Sequence, residues 1–352
     1  LAGAGDLTLT YDTTAVSGLE DVQNLTLSKS SGAFTANSVE TISITSGLVA
    51  NTISTLTADS ATTLNVSGSK DLTITGEISA TVANIKTIDA SAMTGSLKIE
   101  NNDTTTTATL GSGDDVYKTS SAVAATYKVD GGAGTDELSV TAATVLDTAL
   151  ETARYENFEQ LQINNIAATS ATFSQDMSLL TGFDTVTIVA QDSTDGNADA
   201  TMTTGLTNTA DGTTVKFESL STAEDGHKNT VAVTVDHATD VSTNTLNVVM
   251  GTATAASGAT VTSATNAKVY ATLTANNAET ISVMSQGGAN TLGALTSADL
   301  TTLNISGSKD LTIGAIGSAT KLATVDASAL TGTAKFVMAS TNASTPAGTY
   351  TG

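Results

Sequence analysis

The chain contains no cysteine and no tryptophan, and its 352 residues include a single arginine, Arg154. Without cysteine there is no disulfide framework and no thiolate metal site. Thirteen Lys+Arg against 35 Asp+Glu leave a formal net charge of −22. No basic cluster is present to hold a phosphate backbone or an anionic bilayer, so nucleic acid and membrane surfaces are set aside as partners. No run of 18 apolar residues marks a membrane span, and no signal-peptide pattern opens at Leu1. Aromatic residues are only 3% of the chain, too few to fill a thick core. Thr, Ala, Ser, Val, Leu and Ile must fill the interior instead, which suits thin layers of strands. Charged residues at 14%, with β-branched residues throughout, argue against disorder. Were the protein extracellular, it would need a staple other than disulfides. A charge of −22 reads either as a soluble acidic surface or as a chain loaded with cations, and Ca²⁺ is a common staple.

What the chain does have is internal repetition. TTLNVSGSKDLTI from Thr62 to Ile74 returns as TTLNISGSKDLTI from Thr301 to Ile313, with Val66 replaced by Ile305. Upstream, Glu40-Thr41-Ile42-Ser43 recurs as Glu279-Thr280-Ile281-Ser282. Downstream, Asp89-Ala90-Ser91-Ala92-Met93-Thr94-Gly95 recurs as Asp326-Ala327-Ser328-Ala329-Leu330-Thr331-Gly332. Weaker echoes lie between the copies, at Asp184–Ile188 and Thr245–Val248.

Within each copy apolar residues alternate with Thr, Ser or Asn, as in Ile42 and Ile44, Leu64 and Val66, Leu72 and Ile74, Leu97 and Ile99. A period of two is the strand signature, and Gly, Asn and Asp mark the turns. The expected fold is all-β, a β-solenoid of parallel β-helix-like repeats. A β-sandwich is the alternative for about 185–265. One short amphipathic helix is expected from Val145 to about Phe158, with Leu146, Leu150, Ala153 and Phe158 on its apolar face, and a weaker helical turn near Gln175–Leu180. Three segments follow: 1–142 with the first repeat and its Gly/Asp turns, 143–265 as a middle β region, and 266–352 with the second repeat.

Two turns have the composition of calcium loops. One is Leu110-Gly111-Ser112-Gly113-Asp114-Asp115-Val116-Tyr117; the other is Asp130-Gly131-Gly132-Ala133-Gly134-Thr135-Asp136-Glu137-Leu138. The second fits the repeat-in-toxin consensus GGxGxDxUx through its eighth position, and the first lacks only the initial glycine. Glycines let the turn curl so that carbonyl oxygens and an aspartate face a hard cation. The two turns lie 21 residues apart, a departure from a tight tandem array.

In the order Asp-Ala-Ser…Thr-Gly turn, short strand pair, GGAGxD turn, together with the E-T-I-S and T-L-N-V phrases, the chain resembles Gram-negative, Caulobacter-type S-layer proteins. The resemblance is best over 37–140 and 276–336. It implies type I secretion, folding outside the cell in millimolar Ca²⁺, and self-assembly into a two-dimensional lattice on the cell surface. It also implies anchoring to a cell-surface polysaccharide by a region outside this chain. Residues matching the calcium pattern are Gly111, Gly113, Asp114, Asp115, Asp130, Gly131, Gly134, Asp136 and Glu137. Asp89 and Asp326 are further candidates, for which an Asx-type turn is the competing reading. LAGAGD at Leu1–Asp6 looks like the tail of another such turn, so the chain reads as a section of a longer protein.

Large repeat-in-toxin adhesins share these motifs, and a calcium-stiffened adhesin stalk is the alternative function. An enzyme acting on polysaccharide from a β-helix scaffold ranks below both. No GxSxG elbow is present, and His227 and His237, the only histidines, lie in no metal motif and are expected in exposed loops. Asp192, Asp195, Asn197 and Asp199 alternate like an EF-hand but lack its glycine and terminal glutamate. Lys70-Asp71 and Lys309-Asp310 are expected to make polar contacts beside their turns, or to meet opposite charges on neighbouring subunits.

Overall fold

Each strand of the repeat lies parallel to the next strand of its own sheet, some 22–24 residues further along the chain. In the computed structural model Thr41–Ser46 pairs with Thr63–Gly68, and that strand with Thr87–Met93. The second copy reproduces this register, Thr280–Ser285 on Thr302–Gly307 and that on Thr324–Leu330. The architecture is therefore a parallel β-solenoid, in which one full coil separates paired residues and successive coils rise by about 4.8 Å. The structure describes residues 3–12, 14, 16–30, 32–141, 146, 148–164, 171–190, 201–219, 230–251, 270–338 and 349–351.

The chain divides into two units, Leu1–Leu161 and Gln162–Gly352. In the first, strands alternate between two main parallel sheets. One runs in the order 22–27, 41–46, 63–68, 87–93, 107–109, 129–130, 155–156, and the other 51–53, 72–74, 97–100, 116–119, 137–140. A third, three-stranded sheet holds Leu7–Leu9, Phe34–Ala36 and Leu56–Thr57. In the second unit the alternating ladders are 185–190, 214–219, 245–250, 280–285, 302–307, 324–330, 349–351 and 171–176, 201–209, 230–237, 270–276, 290–296, 311–317, 334–338.

The alternation in sequence sets which side chains turn inward. Ile42 and Ile44, Leu64 and Val66, Leu303 and Ile305 are buried, while the Thr, Ser and Asn between them face out. Burial of each such aliphatic side chain contributes about 1.5–3 kcal/mol. Single aromatic residues, among them Phe34, Tyr117, Phe158, Phe173 and Phe217, are the largest fully buried side chains. A one-side-chain-thick interior explains how a chain so poor in aromatics packs.

Two expectations need correction. The middle region is no sandwich: its described strands, Thr185–Ala190 on Thr214–Ser219 and Thr201–Thr209 on Thr230–His237, pair in parallel like the rest. The short helix expected from Val145 to about Phe158 contracts to four residues, Ala149–Thr152, with the Thr148 side chain accepting from the Glu151 N–H at its start. Leu146 and Phe158 are buried as expected, but Leu150 is 76% exposed, because Tyr155–Glu156 returns to a strand that pairs with Val129–Asp130. The turn near Gln175–Leu180 is a single 3₁₀ turn, Met177–Leu179, with the Asp176 carboxylate accepting from the Ser178 N–H.

Candidate metal centre

The two Gly/Asp turns sit one directly on the other. Val116–Thr119 pairs with Glu137–Val140 in register, so the 21-residue spacing is one coil of the solenoid. The turns stack so tightly that side chains have no room: a Cβ on Gly113 would fall closer than 3 Å to the Gly95 carbonyl, and one on Gly134 would fall as close to the Gly113 carbonyl. Gly95, Gly113 and Gly134 thus form a column through three coils, with Gly111 under Gly132 beside it. Gly131 is equally confined, against the backbone of Asn157. Glycine is required by this approach of backbone to backbone.

The aspartates at the sixth motif position, Asp115 and Asp136, point into the buried corner. Asp115 Oδ1 accepts the Leu97 N–H at 2.6 Å, and its Oδ2 accepts the Gly111 N–H at 2.8 Å. Asp136 Oδ1 accepts the Asp115 N–H at 2.7 Å, and Glu159 Oε2 accepts the Asp136 N–H at 2.8 Å. Each coil's corner N–H is therefore taken up by the acid of the next coil, in the order Leu97, Asp115, Asp136, Glu159. Asp136 Oδ2 is different: it is buried and has no hydrogen-bond partner. A buried acceptor of this kind destabilises the fold unless something meets it.

Electrostatics sharpen the point. Burial, reinforced by the negative charges of Asp115, Glu159 and Asp114, pushes the Asp136 carboxyl up to about 7; the Asp115 N–H offsets only part of that. The Asp115 carboxyl is also raised, burial again being the main cause. Excess negative charge and one unmet buried carboxylate oxygen are the features here that suit a hard divalent cation. Among the described residues no three carboxylates or imidazoles converge.

The other predicted residues are placed less centrally. Asp114 faces outward, its Oδ1 accepting the Thr135 N–H of the next coil at 2.9 Å. Asp130 Oδ1 accepts from the Gly132 N–H and from Asn157 Nδ2, closing its own turn. Glu137 is half-buried and alternates with inward-facing Leu138, so it stands on the opposite face of that strand. Asp89, exposed, and Asp326, half-buried, are occupied by the Asx-type turns that were the competing reading, each accepting the N–H two residues on, from Ser91 and Ser328. Asp71 and Asp310 make the expected turn contacts, accepting from the Ser96 and Thr333 N–H groups. His237 is buried, contrary to expectation, with Nδ1 3.3 Å from Thr209 Oγ1, because it lies at the inward-facing end of strand Thr230–His237. His227 and the acidic run Asp192–Asp199 lie outside the described residues.

The corner role of Glu159 was missed in the sequence, although a signal existed. Glu40 and Glu279, each just before a repeated strand, cap the preceding coil in the same way, accepting the Asp21 and Asn244 N–H groups at 2.9 Å. An acid that recurs immediately before a strand marks a coil corner.

A pH dependence follows. With its folded-state value raised to about 7, Asp136 holds a proton more tightly folded than unfolded. Its contribution to stability is fully present below about pH 4 and is lost as the pH rises towards 7. In calcium-free buffer, Asp136→Asn is expected to be about 2–4 kcal/mol more stable than wild type at pH 8, and equal to it at pH 4. Urea unfolding of both proteins across that range reads this out; a constant difference at all pH values would contradict it. No protein-family model matches the chain, and a search of curated proteins finds no match to it.

Proposed function

We propose that this is a secreted structural protein of the surface-layer kind, stabilised by Ca²⁺ outside the cell and assembling with further copies of itself. The observation that carries the reading is the buried, unmet Asp136 oxygen in a column of stacked Gly/Asp turns, within a chain of net charge −22. Asp136 would hold the ion together with turn carbonyls of the Gly111–Asp115 and Gly131–Asp136 segments. Bound Ca²⁺ would supply positive charge to the acidic corner and an electrostatic partner to a carboxylate that otherwise resists ionisation. The chain's own residues do the rest. The glycine column brings adjacent turns into contact, Asp115 and Glu159 fix the corner backbone, and the outward Thr/Ser/Asn faces keep the coils soluble.

Folding linked to an ion that is scarce inside the cell and abundant outside would leave the chain unfolded for export and ordered afterwards. Purified protein in millimolar Ca²⁺ is expected to form sheets visible by negative-stain electron microscopy, and to disperse when the ion is chelated. Dispersed single particles under both conditions would contradict the assembly part of the reading.

A further inference from the structure

Leu48 is an exposed leucine in a place that the second repeat fills with glycine. The turn from Ser46 to Asn51 and its counterpart from Ser285 to Asn290 are closed alike. The Asn51 and Asn290 amides hold the turn carbonyls, and the Val49 and Gly288 N–H groups donate to the Gly47 and Gln286 carbonyls. At the left-handed position the second repeat has Gly287, with φ of 74°, followed by Gly288. The first repeat has Leu48 there, with φ of 62°, followed by Val49. That conformation strains a leucine and not a glycine. The core offers little in return, because Leu48 is 76% exposed and Val49 44%. Folding of the turn does not account for this pair of apolar side chains.

The corner that carries Leu48 stacks five turns in the interior of the first unit. The Asn51 N–H and Ser46 Oγ both donate to the Asp71 carbonyl, which places the Lys70-Asp71 turn next. Gly95 lies against Lys70-Asp71, Gly113 against Gly95, and Gly134 against Gly113. Lys70 and Asp114 are both exposed and stand two coils apart, about 10 Å, too far to pair within one chain. Among the described residues neither forms an ion pair. One coil beyond Lys70 lie Leu48 and Val49. One coil beyond Asp114 lie Ala133 and Gly134, exposed and with no side chain larger than a methyl group. The corner is thus complementary to itself about Gly95: a cation opposite an acid, and two apolar side chains opposite a bare turn.

We propose that two copies of the chain pair side by side and antiparallel along this corner, about a two-fold axis at the Gly95 turn. Leu48 and Val49 of each copy lie on Ala133 and Gly134 of the other, and Lys70 of each meets Asp114 of the other. A two-fold contact uses the same patch twice, so every element must find its complement on that patch. This corner meets the condition, with the complements in matching order along the coils. The apolar contact supplies affinity, and the Lys70–Asp114 pairs fix the direction in which the copies run. The inference rests on the self-assembly reading and names its surface.

The test is sedimentation velocity of wild type, Leu48→Gly and Lys70→Glu over a concentration series in millimolar Ca²⁺, with a thermal melt of each. Glycine suits the left-handed turn, so Leu48→Gly is expected to melt no lower than wild type. Lys70 is exposed and unpaired within the chain, so Lys70→Glu is expected to melt with wild type. Association of Leu48→Gly is expected to weaken roughly 10- to 100-fold, the worth of one leucine side chain taken out of water. Lys70→Glu should weaken it by about 3- to 10-fold, and more at low salt than at high salt. If both variants associate as wild type does, this contact is wrong and self-assembly stands on another surface. If wild type stays monomeric throughout, the self-assembly reading fails as well.

Discussion

Asn51→Ala is expected to cost the first unit about 3–5 kcal/mol, lowering its melting temperature by roughly 10–15 °C. The Asn51 side chain is buried and holds two coils together. Its Oδ1 accepts the Lys29 and Ser30 N–H groups, at 2.8 and 2.9 Å. Its Nδ2 shares two protons among Ser46 Oγ, the Gly47 carbonyl and the Val49 carbonyl, at 2.9, 3.2 and 2.7 Å. Ser46 Oγ in turn donates to the Asp71 carbonyl of the following coil. Alanine removes every one of the Asn51 side-chain bonds and leaves two N–H groups without an acceptor, each a loss of about 1–3 kcal/mol when buried. Asn51→Asp should be no milder, since it turns a carboxylate oxygen toward three acceptors. The outward-facing Asn65, whose side chain makes one long contact of 3.3 Å to Ser43 Oγ, is the control: its alanine variant should stay within about 0.5 kcal/mol of wild type. Denaturant unfolding measures all three, and an Asn51→Ala loss below about 1 kcal/mol would contradict the bracing role.

The same brace exists in the second repeat and shows why it was hard to see in the sequence. Asn290 Nδ2 donates to Ser285 Oγ and to the carbonyls of Gln286 and Gly288, as Asn51 does in its own turn. The intervening residues differ, Gly-Leu-Val-Ala against Gln-Gly-Gly-Ala, so the two turns do not align by identity. The backbone is nevertheless alike: Leu48 and Gly287 both take left-handed conformations, with φ of 62° and 74°. A leucine there is visible as a turn residue only once its partner coil is in place. Strands were legible because Ile42, Ile44, Leu64 and Val66 alternate with polar residues, a local signal. The coil length was not, since it is a spacing between strands and the turns vary. For the same reason the 21-residue gap between Asp115 and Asp136 read as a break in the motif array, although it is what stacks them. The Val145–Phe158 segment misled differently. Leu146, Leu150 and Phe158 fall at helical spacing, yet pairing of Tyr155–Glu156 with the preceding coil outweighs helix propensity beyond four residues.

Removal of calcium is the other large effect expected. An ion that binds only the folded corner stabilises it by about 2.7 kcal/mol when free Ca²⁺ is a hundredfold above its dissociation constant. For a unit the size of Leu1–Leu161 that is roughly 5–10 °C in melting temperature. The effect has a specific address, because Asp136 contributes the unmet oxygen. Asp136→Asn keeps an acceptor for the Asp115 N–H but loses the charge that would hold the ion. It should therefore melt at nearly the same temperature with and without calcium. It should also lie above wild type in chelator at pH 8, where the wild-type carboxylate is mostly ionised without a partner. The measurement that bears most directly on the account is a calorimetric melt of wild type and Asp136→Asn, each in millimolar Ca²⁺ and in excess EGTA. The account predicts a wild-type transition that falls by roughly 5–10 °C on chelation and an Asp136→Asn transition that does not move. A wild-type melt identical in both buffers would contradict it.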